Sequence, residues 1–232
     1  EKVDRKRWSS VTGTGPFELE RYVQANAQIY KKNQQYWDST TLDSNRYSLP
    51  FVDRVIYRII KDEATYLTAL RTGQLDILEA IRWIAVDHLK ETSPELQWNR
   101  WLNTSGEFIA LRVDRKPFDD LRVRRALNLA VNQQEIVEYF YGGHAELMAY
   151  PQHPDFGAYF EPLEDMPESV QQLFSYDPEE ARRLLTEAGV PVGFSFDMQV
   201  CSCSPSHMDM VPLLESYFSK VGLKTNIQPM EY

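Results

Sequence analysis

The side chains best suited to chemistry lie in one short segment, which reads Cys201-Ser202-Cys203-Ser204-Pro205-Ser206-His207. Its hydroxyl, thiol and imidazole groups are able to hydrogen-bond a neutral or sugar-like molecule. The segment contains no Arg or Lys, so a carboxylate would lack its bidentate partner there. A polar surface loop without any binding role has the same composition. The segment therefore indicates either a contact for a small molecule or an ordinary loop.

The two cysteines of the chain, Cys201 and Cys203, allow two further interpretations. Together with His207 they can ligate a soft metal such as copper or zinc, with His144 or His153 as a fourth ligand. Their C-x-C spacing is not that of a standard metal motif. In an oxidising compartment the same pair can instead form a disulfide, which is the favoured alternative. We therefore predict no resident metal.

Aromatic residues provide a second candidate surface. The segment 144–175 contains several prolines and no clear periodicity, and a connection of that length is commonly functional or mobile. Among its aromatic residues are Tyr150, Phe156, Tyr159 and Phe160. They can wall a pocket, or they can cover the core of their domain. Both alternatives remain open, with covering of the core favoured for the group and Tyr150 kept as a candidate contact.

The sequence contains no set of residues typical of an enzyme. Asp119, Asp120 and Asp177 precede helical patterns and are predicted to cap helices, not to act as catalytic acids. There is no nucleophile elbow, P-loop or H-E-x-x-H motif. The net charge of −9, from 25 basic and 34 acidic residues, would repel phosphate backbones and argues against nucleic-acid binding. No apolar run reaches the roughly 18 residues that a membrane-spanning helix requires.

Alternating strands and helices position these residues, which predicts an α/β fold. Apolar–polar alternation and β-branched residues predict the strands, at residues 17–23, 27–32, 52–60, 75–78, 96–102, 107–113, 194–200 and 223–229. Capping residues and a 3.6-residue period predict the helices, between Asp62 and Gly73 and at residues 85–91, 120–131, 133–141, 178–188 and 210–221. A polar loop is expected between residues 38 and 50.

Several short motifs follow one another across residues 12–232. They are Gly13-Thr14-Gly15-Pro16-Phe17, Asn33-Gln34-Gln35-Tyr36-Trp37, the strand at residues 52–60, Ala69-Leu70-Arg71-Thr72-Gly73-Gln74-Leu75-Asp76-Ile77, Lys116-Pro117-Phe118-Asp119-Asp120-Leu121-Arg122-Val123-Arg124-Arg125-Ala126-Leu127-Asn128, Tyr176-Asp177-Pro178-Glu179-Glu180-Ala181 with Ala188-Gly189, and Val221-Gly222-Leu223. In this order the motifs resemble those of the family 5 (cluster C) extracellular solute-binding proteins, which include receptors for dipeptides, oligopeptides, nickel and some oligosaccharides.

The resemblance implies an α/β fragment of a two-lobed periplasmic-binding-protein type II fold. We expect residues 1–11 to form a flexible segment, residues 12–107 to belong to the first lobe, and residues 108–232 to contain the hinge crossing and part of the second lobe. The expected hinge residues are Phe108, Ile109 and Leu111. Full-length members continue beyond both ends of this chain, and the aspartate that pairs with a peptide's amino terminus is expected to lie in the absent C-terminal part.

In dipeptide-binding relatives the loop after the strand that matches residues 194–200 reaches the cleft and can supply a basic residue. This chain has none there, which makes a dipeptide receptor doubtful. The ligand contacts expected here are Cys201, Ser202, Cys203, Ser204, His207 and Tyr150.

The resemblance further implies an extracytoplasmic substrate-binding component of an ABC importer. It would act as a monomer in the periplasm or tethered to the cell surface as a lipoprotein. It would capture an oligopeptide, a sugar or a nickel complex and deliver it to a membrane permease, without a cofactor, a catalytic step or nucleic acid. One alternative is a cell-envelope hydrolase whose catalytic residues lie outside this chain. Another is an interaction module that dimerises through a large apolar face.

Overall fold

The computed structural model describes residues 13–102, 106–147 and 154–231, apart from the side chain of Asp155. The chain divides into two compact units, with the boundary between Leu78 and Glu79. This boundary lies upstream of the lobe boundary expected at residue 107, which stays a prediction. The segment 1–11, expected to be flexible, lies outside the described residues.

The N-terminal unit is built on antiparallel strands. They are β1 (Phe17–Val23), β2 (Ala27–Lys32), β3 (Ser39–Leu42), β4 (Asn45–Ser48) and β5 (Arg54–Arg58). The strands β1, β2 and β5 form one sheet with β2 in the centre, which confirms the strands predicted in this region. β3 and β4 form a separate hairpin, so the polar loop predicted between residues 38 and 50 is wrong. The hairpin turns at Asp43 and Ser44, which both have positive φ values, as its two-residue turn requires.

Helix α1 (Glu63–Arg71) follows the sheet and confirms its predicted cap. The Asp62 carboxylate accepts a hydrogen bond of 2.9 Å from the backbone N–H of Thr65. The strand predicted at residues 75–78 is not formed. The backbone N–H groups of Gln74 and Leu75 instead donate to the Ala69 carbonyl at 2.8 and 3.1 Å, so the chain folds back onto the end of the helix before it can extend.

The C-terminal unit contains most of the helices. Its regular elements are α2 (Trp83–Thr92), α3 (Leu121–Leu129), α4 (Gln133–Glu135), α5 (Glu168–Gln171), α6 (Pro178–Glu187), β6 (Ser195–Cys201), α7 (Pro205–Lys220) and β7 (Lys224–Met230). The strands β6 and β7 pair in parallel, and α7 supplies the crossover that parallel neighbours require. This βαβ unit confirms the α/β prediction. No helix among the described residues is long and apolar enough to cross a membrane.

The core of the C-terminal unit lies between α3, α6, α7 and the two strands. Ala126 of α3 and Ala181 of α6 are fully buried, and their small side chains let the two helices approach closely. Phe218 of α7 is 2% exposed and packs edge-on against Phe196 of β6, with ring centroids 5.8 Å apart. Burying one such aromatic side chain contributes about 1.5–3 kcal/mol. The core therefore fixes α7 against the strand that precedes it.

Four sequence predictions for this unit differ from the structure. The strands expected at residues 96–102 and 107–113 are not formed, because a strand needs a neighbour for its N–H and C=O groups and no described strand pairs with either segment. The loop expected at residues 144–175 contains short helical turns in its described part, such as Pro154–Tyr159 and α5. The helix expected at residues 133–141 changes after its first turn into a π-helix.

Candidate functional site

The predicted chemistry-bearing segment begins at the carboxyl end of β6, beside the carboxyl end of β7. In open α/β sheets this edge is where ligands bind. Helix α7 begins at Pro205, five residues earlier than predicted, because Ser204 caps it: its Oγ accepts from the backbone N–H of His207 at 3.3 Å. Proline is well suited to the first helical position. Ser206 and His207 are therefore held on the first turn of a helix, not in a loop.

Cys201 and Cys203 are joined in a disulfide. The bond uses both thiols and removes the thiolates that the metal alternative requires. His144 lies against the Trp83 ring with centroids 6.0 Å apart, and His153 lies outside the described residues. No cluster of three or more His, Cys, Asp or Glu residues able to hold a metal occurs among the described residues.

Ser202 extends the parallel pairing of β6 and β7 by one position. Its backbone N–H and its hydroxyl both donate to the Met230 carbonyl, at 3.0 and 3.1 Å. The hydroxyl of Ser204 is likewise engaged in the helix cap. The hydroxyls of Ser202 and Ser204, both expected to contact a small molecule, thus have partners within the protein.

His207 lies against a carboxylate from a segment far away in the sequence. Its Nε2 is 2.9 Å from Oε2 of Glu107, and the two side chains are 39% and 52% exposed. Glu107 belongs to the segment at residues 106–112, which has no regular secondary structure. Sequence reasoning missed Glu107 as a site residue, because only the folded chain brings it next to α7.

Tyr141 completes the group. It is half-buried, and the side chain of Ser206 lies close enough to affect its pKa. Burial raises the pKa of Tyr141, the negative charge of Glu107 adds to the shift, and the side chain of Ser206 opposes it. The phenol therefore stays protonated at neutral pH and can donate a hydrogen bond. We call Glu107, Tyr141, Ser206 and His207 the polar cluster.

A π-helical turn positions Tyr141. The turn covers Ile136–Phe140, and single π-turns within helices are often found at functional sites. The indole Nε1 of Trp83 donates to the Phe140 carbonyl at 2.6 Å. Gly142 follows with φ +57°, and a Cβ at that position would lie 2.8 Å from the Trp83 ring. Tyr141 is thus fixed by close contact of the chain with Trp83.

A second contact ties the start of α2 to the first half of α7. Nη1 of Arg82 lies 2.5 Å from Oδ2 of Asp209, with the arginine 27% and the aspartate 59% exposed. An ion pair with this exposure contributes about 0–1 kcal/mol. It joins the residue that precedes α2 to the first half of α7.

The other residues predicted from the sequence are distributed differently. Phe108 and Ile109 are exposed, at 66% and 41%, and Leu111 packs against the core of the C-terminal unit. Their role as a hinge stays a prediction. Tyr150 lies outside the described residues. Tyr159 is 80% exposed, so the expectation that the aromatic residues of its segment cover the core is wrong for Tyr159.

The structure thus places polar side chains at the carboxyl edge of a parallel strand pair, the edge at which ligands bind in open α/β sheets. A model of the bacterial extracellular solute-binding proteins, family 5 (middle region), matches residues 2–232. The chain therefore belongs to the family 5 bacterial extracellular solute-binding proteins.

Relatives with a stated ligand cover nearly the whole chain. It is 30% identical over 228 residues to heme-binding protein A of Haemophilus influenzae. It is 32% identical over 225 residues to di/tripeptide-binding protein 1 of Pseudomonas aeruginosa. These matches cover 97% and 95% of this chain and 38% of each relative. The chain thus spans well under half the length of these relatives.

A solved structure of a periplasmic binding protein has the same fold over the matched part. It is the ABC transporter-associated protein DppA from Helicobacter pylori in complex with the peptide STSA, with a TM-score of 0.75 and 25% identity. The match covers 94% of this chain and 39% of that protein. The fold of the described residues is therefore that of part of a periplasmic binding protein.

Proposed function

We propose that this chain forms part of the substrate-binding component of an ABC importer, which captures peptides or similar small solutes and delivers them to a membrane permease. The observation that carries the proposal is the family match over residues 2–232. It is supported by a relative named for binding di- and tripeptides and by a structural neighbour in complex with a peptide. These relatives are binding proteins, which favours capture of a solute over its hydrolysis.

The proposed mechanism is closure of two lobes over the solute. Residues 12–107 contribute to the first lobe, and residues 108–232 contribute the crossing segment and part of the second. Phe108, Ile109 and Leu111 are proposed to absorb the backbone rotation. Hinge closure around a ligand is a common transition in binding proteins. A permease then distinguishes the closed from the open form, and no cofactor is needed for this cycle.

The polar cluster is proposed to contact the solute, with Tyr141, Ser206 and His207 from the second lobe and Glu107 from the end of the first-lobe segment. Tyr141 and Ser206 provide hydroxyl groups, His207 an imidazole, and Glu107 a carboxylate that is 52% exposed. These groups match the amide N–H and C=O groups of a peptide main chain, or the hydroxyls of a sugar. Segment 201–207 has no Lys or Arg, so a solute carboxylate is held by groups elsewhere in the protein.

The remaining predicted contacts take a modified role in this proposal. Cys201 and Cys203 form a small wall with their disulfide, and Ser202 and Ser204 hold that wall in place through their hydrogen bonds. Tyr150 is retained as a proposed contact. The protein is proposed to act as a monomer outside the cytoplasm, in the periplasm or tethered as a lipoprotein. A disulfide is typical of such oxidising compartments.

Calorimetry tests the proposal. A panel of di-, tri- and tetrapeptides, together with oligosaccharides and nickel–histidine complexes, is titrated into the natural protein that carries this chain. The expected result is saturable binding of one of these classes. The isolated chain is expected to bind the same solute at least about tenfold more weakly, because it supplies only part of the contacts that enclose a ligand. Absence of binding for every member of the panel would contradict the proposal.

A further inference from the structure

The strongest unexplained feature of the described residues is the disulfide between Cys201 and Cys203. The bond closes a loop with one residue between the two cysteines. In the chain-entropy account, the stabilisation from a disulfide grows with the length of the loop that it closes. A loop this short contributes little to the global stability of a protein of 232 residues. The effect of the bond is therefore local.

The disulfide also holds the turn that leads into α7. The backbone N–H of Cys203 donates to Sγ of Cys201 at 3.2 Å, and the N–H of Ser204 donates to the Cys201 carbonyl at 3.3 Å. Ser204 is the cap of α7 and receives the backbone N–H of His207. The disulfide thus fixes the turn that places the cap, and the cap fixes the first turn of α7.

The first turn of α7 carries two members of the polar cluster. His207 lies 2.9 Å from Glu107, and Ser206 is close enough to Tyr141 to lower the pKa of that phenol. A change in the turn at residues 201–204 is therefore transmitted to both contacts. The path is short and covalent, since only Pro205 separates the cap from Ser206.

The bond is accessible to other thiols. Cys203 and Ser202 are exposed, and Cys201 is half-buried. Exposed disulfides have higher reduction potentials than buried structural ones and are the labile or regulatory class. Cys203 is the more exposed of the two cysteines, so attack is expected at its sulfur.

We infer that Cys201 and Cys203 form a reversible thiol–disulfide element that controls the position of the polar cluster. The reductant is a dithiol, either a small molecule or a protein with a C-x-x-C pair. One thiolate of the dithiol attacks Sγ of Cys203, the bond between the two cysteines breaks, and Cys201 leaves as a thiolate. The second thiolate then attacks the mixed disulfide and releases Cys203. The dithiol loses two electrons and becomes a disulfide, and the two cysteines gain them and take up protons.

Reduction releases the turn before Ser204 and loosens the first turn of α7. The expected consequence is less order at Ser206 and His207 and weaker contacts with Tyr141 and Glu107. This part of the inference, that the element regulates solute affinity, rests on the function proposed above. The loosening of α7 itself does not depend on that function.

The experiment compares the oxidised and reduced forms of the protein. It is equilibrated with reduced and oxidised dithiothreitol at graded ratios and then alkylated with iodoacetamide, and mass spectrometry counts the alkylated cysteines. Hydrogen exchange is measured on the same samples. The expected result is full reduction without unfolding and exchange about fivefold faster at residues 204–208, as for a lost helix cap. Reoxidation is expected to restore the original rates.

Two variants serve as controls. Cys201→Ser combined with Cys203→Ser should exchange like the reduced form and ignore dithiothreitol. Ser195→Ala removes an exposed hydroxyl at the opposite end of β6 and keeps the disulfide, and it should respond to dithiothreitol like the unmodified protein. If the double serine variant does not fold, reduction and reoxidation of the unmodified protein, followed by hydrogen exchange, still test the inference. A bond that is reduced only after unfolding, or unchanged exchange at residues 204–208 after full reduction, would overturn the inference.

A binding measurement separates this inference from the proposed function. The tripeptide Ala-Ala-Ala is titrated into the oxidised and the reduced protein. The expected result is about fivefold weaker binding after reduction, at the lower end of typical coupling between sites. Equal affinity in both forms would contradict control of the site by the disulfide. If no solute of the calorimetric panel binds to either form while the exchange rates differ, the proposed function fails and the redox element stands.

Discussion

The imidazole Nε2 of His207 lies 2.9 Å from Oε2 of Glu107, which connects the first turn of α7 to the segment at residues 106–112. This contact brings together the segment in which the sequence predicts a hinge and the segment in which it predicts solute contacts. A rearrangement of one segment therefore changes the surroundings of the other. The predictions below test this contact and the interactions that support it.

Substituting His207 with Ala should affect solute binding far more than stability. Because both side chains of the pair are more than a third exposed, its loss should lower the free energy of unfolding by no more than about 1 kcal/mol. Urea denaturation measures this change. His88→Ala, on the exposed face of α2, is the matched control. A loss of several kcal/mol for His207→Ala alone would show that the pair is structural.

Substituting Gly142 with Ala should destabilise the protein more than the same change at Gly143. Both glycines have positive φ values, +57° and +77°, but only at Gly142 would a Cβ meet the Trp83 ring, at 2.8 Å. The backbone strain of about 1–2 kcal/mol is shared by the two variants. The difference between their free energies of unfolding therefore measures the clash with Trp83. Equal values would show that the Trp83 contact does not constrain the π-turn.

Tyr217→Phe should lower the free energy of unfolding by about 1–2 kcal/mol at neutral pH. The ring is 1% exposed, and its hydroxyl donates to Oε2 of Glu135 at 2.8 Å. Removing the hydroxyl leaves that carboxylate with one donor fewer. Tyr139→Phe is the control, since Tyr139 is 76% exposed and should tolerate the change. A loss of the same size in both variants would contradict a specific role for the bond.

The stability of the protein at alkaline pH tests the raised pKa of Tyr217. Burial raises the pKa of Tyr217 well above its ordinary value of 10.0, and the hydrogen bond to Glu135 and its charge add to the shift. Between the unfolded and folded pKa values the folded state binds more protons, so stability is fully present below about pH 10 and falls above it. Denaturation measured from pH 8 upward should show a steeper decline for the unmodified protein than for Tyr217→Phe. Identical slopes would contradict the raised pKa.

Local chemistry made much of the fold predictable. Asp62, Asp120 and Asp177 were each expected to cap a helix, and each accepts a backbone N–H of the first turn. Capping involves residues two or three positions apart, so the sequence contains all the information. Asp119, considered for the same role, is not the cap, because α3 begins only after Asp120.

The parts that could not be predicted depend on long-range contacts. Glu107 was placed inside a strand that has no neighbour among the described residues, and only folding shows that it meets His207. The early start of α7 was missed although Ser204 and Pro205 form a recognisable cap and first position. The hairpin at β3 and β4 was missed because Asp43 and Ser44 lack the glycine that usually signals such a turn.

The most direct test of the account is hydrogen exchange on the natural protein that carries this chain, with and without a saturating peptide identified by calorimetry. If the polar cluster contacts the solute, the amides around Glu107, Tyr141 and His207 should exchange several-fold more slowly in the complex. The amides near the exposed His88 on α2 should not change. Saturable binding with unchanged exchange at all three positions of the cluster would contradict the account.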